Sequence, residues 1–120
     1  MALGIGSVVV HCFEFEEMLD FWREALGYVP RRPPANGWVV LEDPQGLGPN
    51  LSLQARERRR TERGWIHLDL YTTEREAEVA RLLGIGAKRY AWRYPEGADY
   101  TVLEDPDGNL FCVIDREPRR

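Results

Sequence analysis

The sequence predicts an α+β fold made of two successive βαβββ modules, and three observations carry that expectation. A heptapeptide repeats: Val40-Leu41-Glu42-Asp43-Pro44-Gln45-Gly46 returns 62 residues later as Val102-Leu103-Glu104-Asp105-Pro106-Asp107-Gly108, with six of seven residues identical. The segments flanking each copy match in kind, with a strand pattern, a helical pattern and another strand before it and one more strand after it. The third observation is length, because 120 residues make one domain's worth of core and not two. Module one is placed at about 5–55, a linker at 56–64 and module two at about 65–115.

The elements follow in order. Ile5 to Cys12 is valine-rich and bounded by glycine, which reads as a strand. From about Phe15, helical spacing places Phe15, Met18, Leu19, Trp22 and Leu26 on one side, and Gly27 stops the helix. The first heptapeptide is an apolar strand end running into a turn, where Pro44 fixes φ and Gly46 supplies φ > 0. Asn50 to Ala55 closes module one. Arg56 to Gly64 joins the modules, and its Arg58-Arg59-Arg60 run reads as a solvated linker in preference to an anion clamp. Module two opens with an alternating strand, Trp65 to Tyr71. A helix follows from about Thr73, a cap with Glu76 three residues on, through Ala77, Ala80 and Leu83 toward Gly86. Asn109 to Asp115 is the last strand.

Composition excludes several classes. The net charge of −4 argues against a general polyanion binder, since phosphate neutralisation calls for a basic surplus. No apolar run approaches the roughly 20 residues that cross a bilayer, and Met-Ala-Leu-Gly-Ile-Gly lacks the charged region of a signal peptide. Cys12 and Cys112 make no disulfide framework and suit a reducing cytoplasm. The expectation is a cytoplasmic protein with neither nucleic-acid nor membrane partners.

Several motifs carry a family resemblance. Leu19-Asp20-Phe21-Trp22 is followed by Leu26-Gly27-Tyr28; His67-Leu68-Asp69-Leu70 opens module two; Gly84-Ile85-Gly86-Ala87 closes its helix; and Asp105-Pro106-Asp107-Gly108-Asn109 follows the second strand end. With these, the chain resembles short glyoxalase-like members of the vicinal oxygen chelate superfamily, from about Ile5 to Asp115. The resemblance implies modules related by a pseudo-two-fold, curled mixed sheets lining a shared cavity, and a homodimer. It also implies, in metal-dependent members, four ligands taken from the first and last strand of each module.

Carried onto this chain, those four positions are Ser7, Ser52 (or Gln54, given the extra residues after Gly46), His67 and Cys112, the last where metal-dependent members carry glutamate. A serine hydroxyl is a weak neutral ligand, and divalent ions in such sites want imidazole and carboxylate. No complete metal site is therefore expected; a divalent ion near His67 is the alternative. His11 shares a strand face with Ser7, but about 13 Å of backbone at roughly 3.3 Å per residue separates them, so it does not replace Ser7.

Alternation also draws the inner face. If His67 faces inward, so do Trp65, Asp69 and Tyr71, while Ile66, Leu68 and Leu70 pack under helices. By the same rule Leu110, Cys112 and Ile114 line the inner face, with Asn50, Ser52 and Gln54 in module one; Trp38 and Tyr100 add aromatic walls. His67 beside Asp69 reads equally as an acid–base pair or as a buried polar pair satisfying itself. Cys112 is read as a passive thiol in preference to a nucleophile, and Trp22 as core. Trp92 and Tyr94 belong to a dimer surface or a cavity rim. Three functions are carried forward. The first is a small-molecule-binding protein, similar to drug-sequestering members, with an aromatic or amphipathic ligand. The others are a metal-dependent lyase, isomerase or dioxygenase using His67, and a protein-interaction module with a vestigial cavity.

Overall fold

The computed structural model describes residues 4–59 and 66–118, and the chain divides into units of residues 1–60 and 61–120. In the first unit the valine run forms β1 (Ser7–Cys12), followed by α1 (Phe15–Leu26), β2 (Val29–Pro30), β3 (Trp38–Glu42) and β4 (Asn50–Ala55). The strands lie in the order β1-β4-β3-β2. β1 runs parallel to β4, and the other pairs are antiparallel. A parallel neighbour requires a long crossover, which α1 and the two intervening strands supply.

Strand alternation sorts this sheet into two faces. Val10, Cys12, Val39, Leu41, Leu51 and Leu53 share one face by register and are all buried. Met18, Leu19, Phe21 and Trp22 of α1 are buried with them, and Phe21 and Trp22 meet edge to face at 4.9 Å. Leu41 and Leu53 are fully enclosed; burying such side chains contributes about 1.5–3 kcal/mol each. Glu16 and Glu17 in the first turn and Arg23 in the last complement the helix dipole. Gly27 ends the helix in the left-handed region at φ 69. Ile5, expected inside the first strand, precedes it and is exposed.

The second unit repeats the order with β5 (Leu68–Thr72), α2 (Arg75–Gly84), β6 (Lys88–Arg89), β7 (Tyr100–Glu104) and β8 (Leu110–Asp115), in a sheet ordered β5-β8-β7-β6. Again the first and last strands are parallel, and Leu103, Phe111 and Val113 are buried on one face. Two expectations are corrected here. The helix starts at Arg75, and Thr73 does not cap it: Thr72 Oγ1 accepts the Glu74 N–H at 3.0 Å and shapes the turn before it. Its buried residues are Val79 and Leu82, while Ala77 and Ala80 are exposed, because an alanine methyl has little area to withdraw from water. Leu68 and Leu70, expected beneath the helix, are half-buried. No helix among the described residues is long and apolar enough to cross a membrane.

The repeated turns differ in length. β3 and β4 are joined by residues 43–49, β7 and β8 by 105–109. Each is gathered on its aspartate: Asp43 accepts the N–H groups of Gln45, Leu47 and Gly48, and Asp105 those of Asp107 and Asn109 together with Asn109 Nδ2. These donors favour the charged form and hold the Asp43 carboxyl below its usual range, the Gln45 amide contributing most. Tyr28 donates its hydroxyl to the Pro49 carbonyl at 3.1 Å and lies hard against Gly48, where a Cβ would stand 2.5 Å from the hydroxyl oxygen.

Candidate functional site

The sheet face opposite α1 in the first unit carries Ser7, Val9 and His11 from β1, Asn50, Ser52 and Gln54 from β4, and Trp38, Val40 and Glu42 from β3. In the second unit Asp69 and Tyr71 from β5, Leu110, Cys112 and Ile114 from β8, and Tyr100, Val102 and Glu104 from β7 hold the same places. The parallel registers fix the correspondence. Val9 pairs with Ser52 and Asp69 with Cys112, each partner 43 residues on. Ser52 is thus the counterpart of Cys112, and Ser7 that of His67. Gln54, left open by the longer turn, corresponds instead to Ile114.

In the first unit the two serines are spent on each other. Ser7 Oγ and Ser52 Oγ lie 2.6 Å apart in a hydroxyl–hydroxyl hydrogen bond, and Ser52 is buried between Val9 and Val40 as its strand partners. Neither brings a charge or an imidazole.

The second unit gathers stronger donors. His67 Nε2 and Asp69 Oδ1 are 2.9 Å apart, both side chains half exposed, so this is not the buried polar pair that one reading expected. Cys112 lies directly across from Asp69, and an imidazole nitrogen, a carboxylate oxygen and the sulfur all fall within 4.8 Å of one another. Burial first, and the Asp69 charge second, push the Cys112 thiol up from its ordinary value. It is a protonated thiol at neutral pH, unsuited to nucleophilic attack without further activation.

Aromatic rings border both faces. Trp38 is 40% exposed, enough of the indole to stack on a ligand. Tyr100 accepts a hydrogen bond from Trp92 Nε1 at 3.1 Å and packs 5.5 Å from Tyr94, whose hydroxyl accepts the Val102 N–H. Trp92 and Tyr94 are therefore tied to the β7 face. Trp65 lies outside the described residues. Trp22 is core. Sequence reasoning missed Arg56: assigned to the linker, it reaches back to β1, with Nη2 2.6 Å from His11 Nδ1. Arg116 likewise sits over the Tyr71 ring at 5.3 Å. An open groove of about 610 Å³ runs along the solvent side of α1, lined by Asp20, Arg23, Glu24, Gly27 and Tyr28. It contains none of the residues expected to bind a ligand.

The donor chemistry tests the metal expectation. Ser7, Ser52, His67 and Cys112 offer two neutral hydroxyls, one imidazole and one thiol, and the hydroxyls already satisfy each other. That set does not supply the imidazole and carboxylate ligands that divalent ions want in such sites. His67, Asp69 and Cys112 form a different set, one nitrogen, one oxygen and one sulfur, of the kinds that zinc accepts.

Comparison with known proteins agrees with the fold. A family model described as glyoxalase-like domain matches residues 7–114. Among solved structures the chain is similar to a glyoxalase-related enzyme from Fulvimarina pelagi, at 17% identity over 94% of this chain and 88% of that one, with a TM-score of 0.71. It is similar to a glyoxalase/bleomycin resistance protein/dioxygenase family enzyme from Burkholderia phytofirmans, at 16% identity over 94% and 98%, TM-score 0.72. It is also similar to the bleomycin resistance determinant encoded on the transposon Tn5, at 18% identity over 97% and 100%, TM-score 0.64. None of the curated proteins matches. At these identities the likeness is one of fold.

Proposed function

Since the chain belongs to the glyoxalase-like domain family, we propose that it binds a small aromatic or amphipathic molecule without the help of a metal. The observation that carries this reading is the Ser7–Ser52 hydrogen bond. Two of the four positions that the family resemblance implies for metal ligands hold hydroxyls that engage each other. Support for an aromatic ligand comes from the rings beside the polar groups, Trp38 in the first unit and Trp92, Tyr94 and Tyr100 in the second. Aromatic surface with a few placed polar groups is how small-molecule sites are built. One fold relative is named for bleomycin resistance, and a receptor role for this chain needs binding and no reaction.

A second reading is favoured by the His67, Asp69 and Cys112 cluster. In it a zinc-class ion sits on those three donors and the protein is a metal-dependent enzyme. Isothermal titration with naphthoate and naphthamide, before and after dialysis against a chelator, separates the two. Metal-independent binding predicts a saturable isotherm for at least one probe, with the same affinity after chelation. Binding lost on chelation and restored by zinc would establish the second reading in its place. Saturation by neither probe would remove the receptor reading.

A further inference from the structure

Across the first unit's sheet, Trp38, Gln54 and His11 are successive Cα partners on β3, β4 and β1, so their side chains leave the same face in one row. The row spans about 10 Å, two strand spacings, which is the scale of a bicyclic aromatic molecule. Both ends are held. Trp38 follows a two-residue turn, with Ala35 and Trp38 exchanging backbone hydrogen bonds of 3.1 and 3.0 Å, and the turn's Gly37 carbonyl accepts the Ala55 N–H at 2.8 Å. Arg56 comes next in the chain, its own N–H bound to the Cys12 carbonyl at 2.8 Å, which fixes its backbone beside the end of β1.

The guanidinium at that end, like those of several other surface arginines, has no carboxylate in an ion pair with it among the described residues. Arg31, Arg59, Arg75 and Arg81 each hold a carboxylate. Arg56 lies against the His11 ring instead, with Nη2 2.6 Å from Nδ1 and 3.2 Å from Nε2. Among the described residues no carboxylate pairs with Arg56. A guanidinium's remaining N–H donors match the two oxygens of a carboxylate.

We propose that this row binds a planar aromatic carboxylate: Trp38 stacks on the ring system, Arg56 takes the carboxylate beside His11, and the Gln54 amide supplies a hydrogen bond between them. The inference rests on the reading of the protein as a small-molecule receptor and names the ligand class for it. No metal takes part, and the second unit's His67, Asp69 and Cys112 are not used.

The test is titration of naphthoate and of its uncharged analogue naphthamide into the wild-type protein, Arg56→Gln and Trp38→Ala. Both substituted side chains are exposed, and urea unfolding checks that each variant is folded. Naphthoate should bind more tightly than naphthamide. Arg56→Gln should weaken naphthoate roughly tenfold or more, as expected for a hydrogen bond to a charged group, and leave naphthamide unchanged. Trp38→Ala should weaken both. If Arg56→Gln leaves naphthoate unchanged or weakens both probes equally, the carboxylate contact is overturned and the receptor reading stands. If Trp38→Ala changes neither, the ring's placement is overturned. Saturable binding of neither probe to the wild-type protein overturns the proposal together with the reading beneath it.

Discussion

Replacing Gly37 with alanine tests the joint between the turn before Trp38 and the end of β4. Asn36 and Gly37 occupy the left-handed region at φ 54 and 69, the pattern of a two-residue type I′ turn. Two costs follow from the geometry. An L side chain at that φ costs about 1–2 kcal/mol. The new Cβ would also stand 2.9 Å from the Ala55 Cβ. That atom cannot swing aside, because it is fixed to a backbone whose N–H is bound to the Gly37 carbonyl at 2.8 Å. Overpacking of this kind costs about 1–3 kcal/mol. Gly37→Ala should therefore destabilise the protein by about 2–5 kcal/mol, measured as a shift in the urea midpoint at constant m-value. In an Ala55→Gly background the facing atom is gone, so the same substitution should cost only the backbone share, about 1–2 kcal/mol. Equal costs in the two backgrounds would show that no close contact exists. A single-variant loss under about 0.5 kcal/mol would refute the turn assignment as well.

Two further outcomes are expected. Ser7→Ala removes the partner of the buried Ser52 hydroxyl and should cost about 1–3 kcal/mol; adding Ser52→Ala should recover part of that loss, whereas additive losses in a denaturation double-mutant cycle would argue against the hydroxyl pair. For Cys112 the folded value lies above the ordinary 9.0, so the native state keeps a proton that the unfolded chain has released. Its contribution is complete below pH 9.0 and falls as pH climbs through the folded value. Tyr28 has the same sign above 10.0. Stability should decline above pH 9, less steeply in Cys112→Ser, and iodoacetamide should label the native thiol slowly at neutral pH. Rapid labelling there would mean an activated thiolate.

Much of the architecture was legible because hydrophobic period and turn chemistry agreed. The repeated heptapeptide, the valine run of β1 and the Met18, Leu19 and Trp22 stripe all formed what their spacing implied. The buried face of α2 was not, since Ala77 and Ala80 fit helical spacing as well as Val79 and Leu82 do, and only area buried decides between them. The Ser52 and Gln54 ambiguity came from not knowing how many residues the first turn consumes. Register settled it. Arg56 escaped notice for a related reason: a residue one step past a strand reads as linker until the neighbouring strand is known to be β1, which brings His11 alongside.

The unequal turns have a consequence for how the two modules could diverge. Residues 43–49 outnumber 105–109 by an even number, and a pleated strand returns to the same orientation after every second residue. The longer excursion therefore delivers β4 with its alternate side chains facing as those of β8 do. An odd-length insertion would have turned Leu51 and Leu53 to water and Ser52 toward α1. Repeated halves of this kind can accept growth at that hairpin in steps of two, and variation there leaves the open sheet face and the core unmixed.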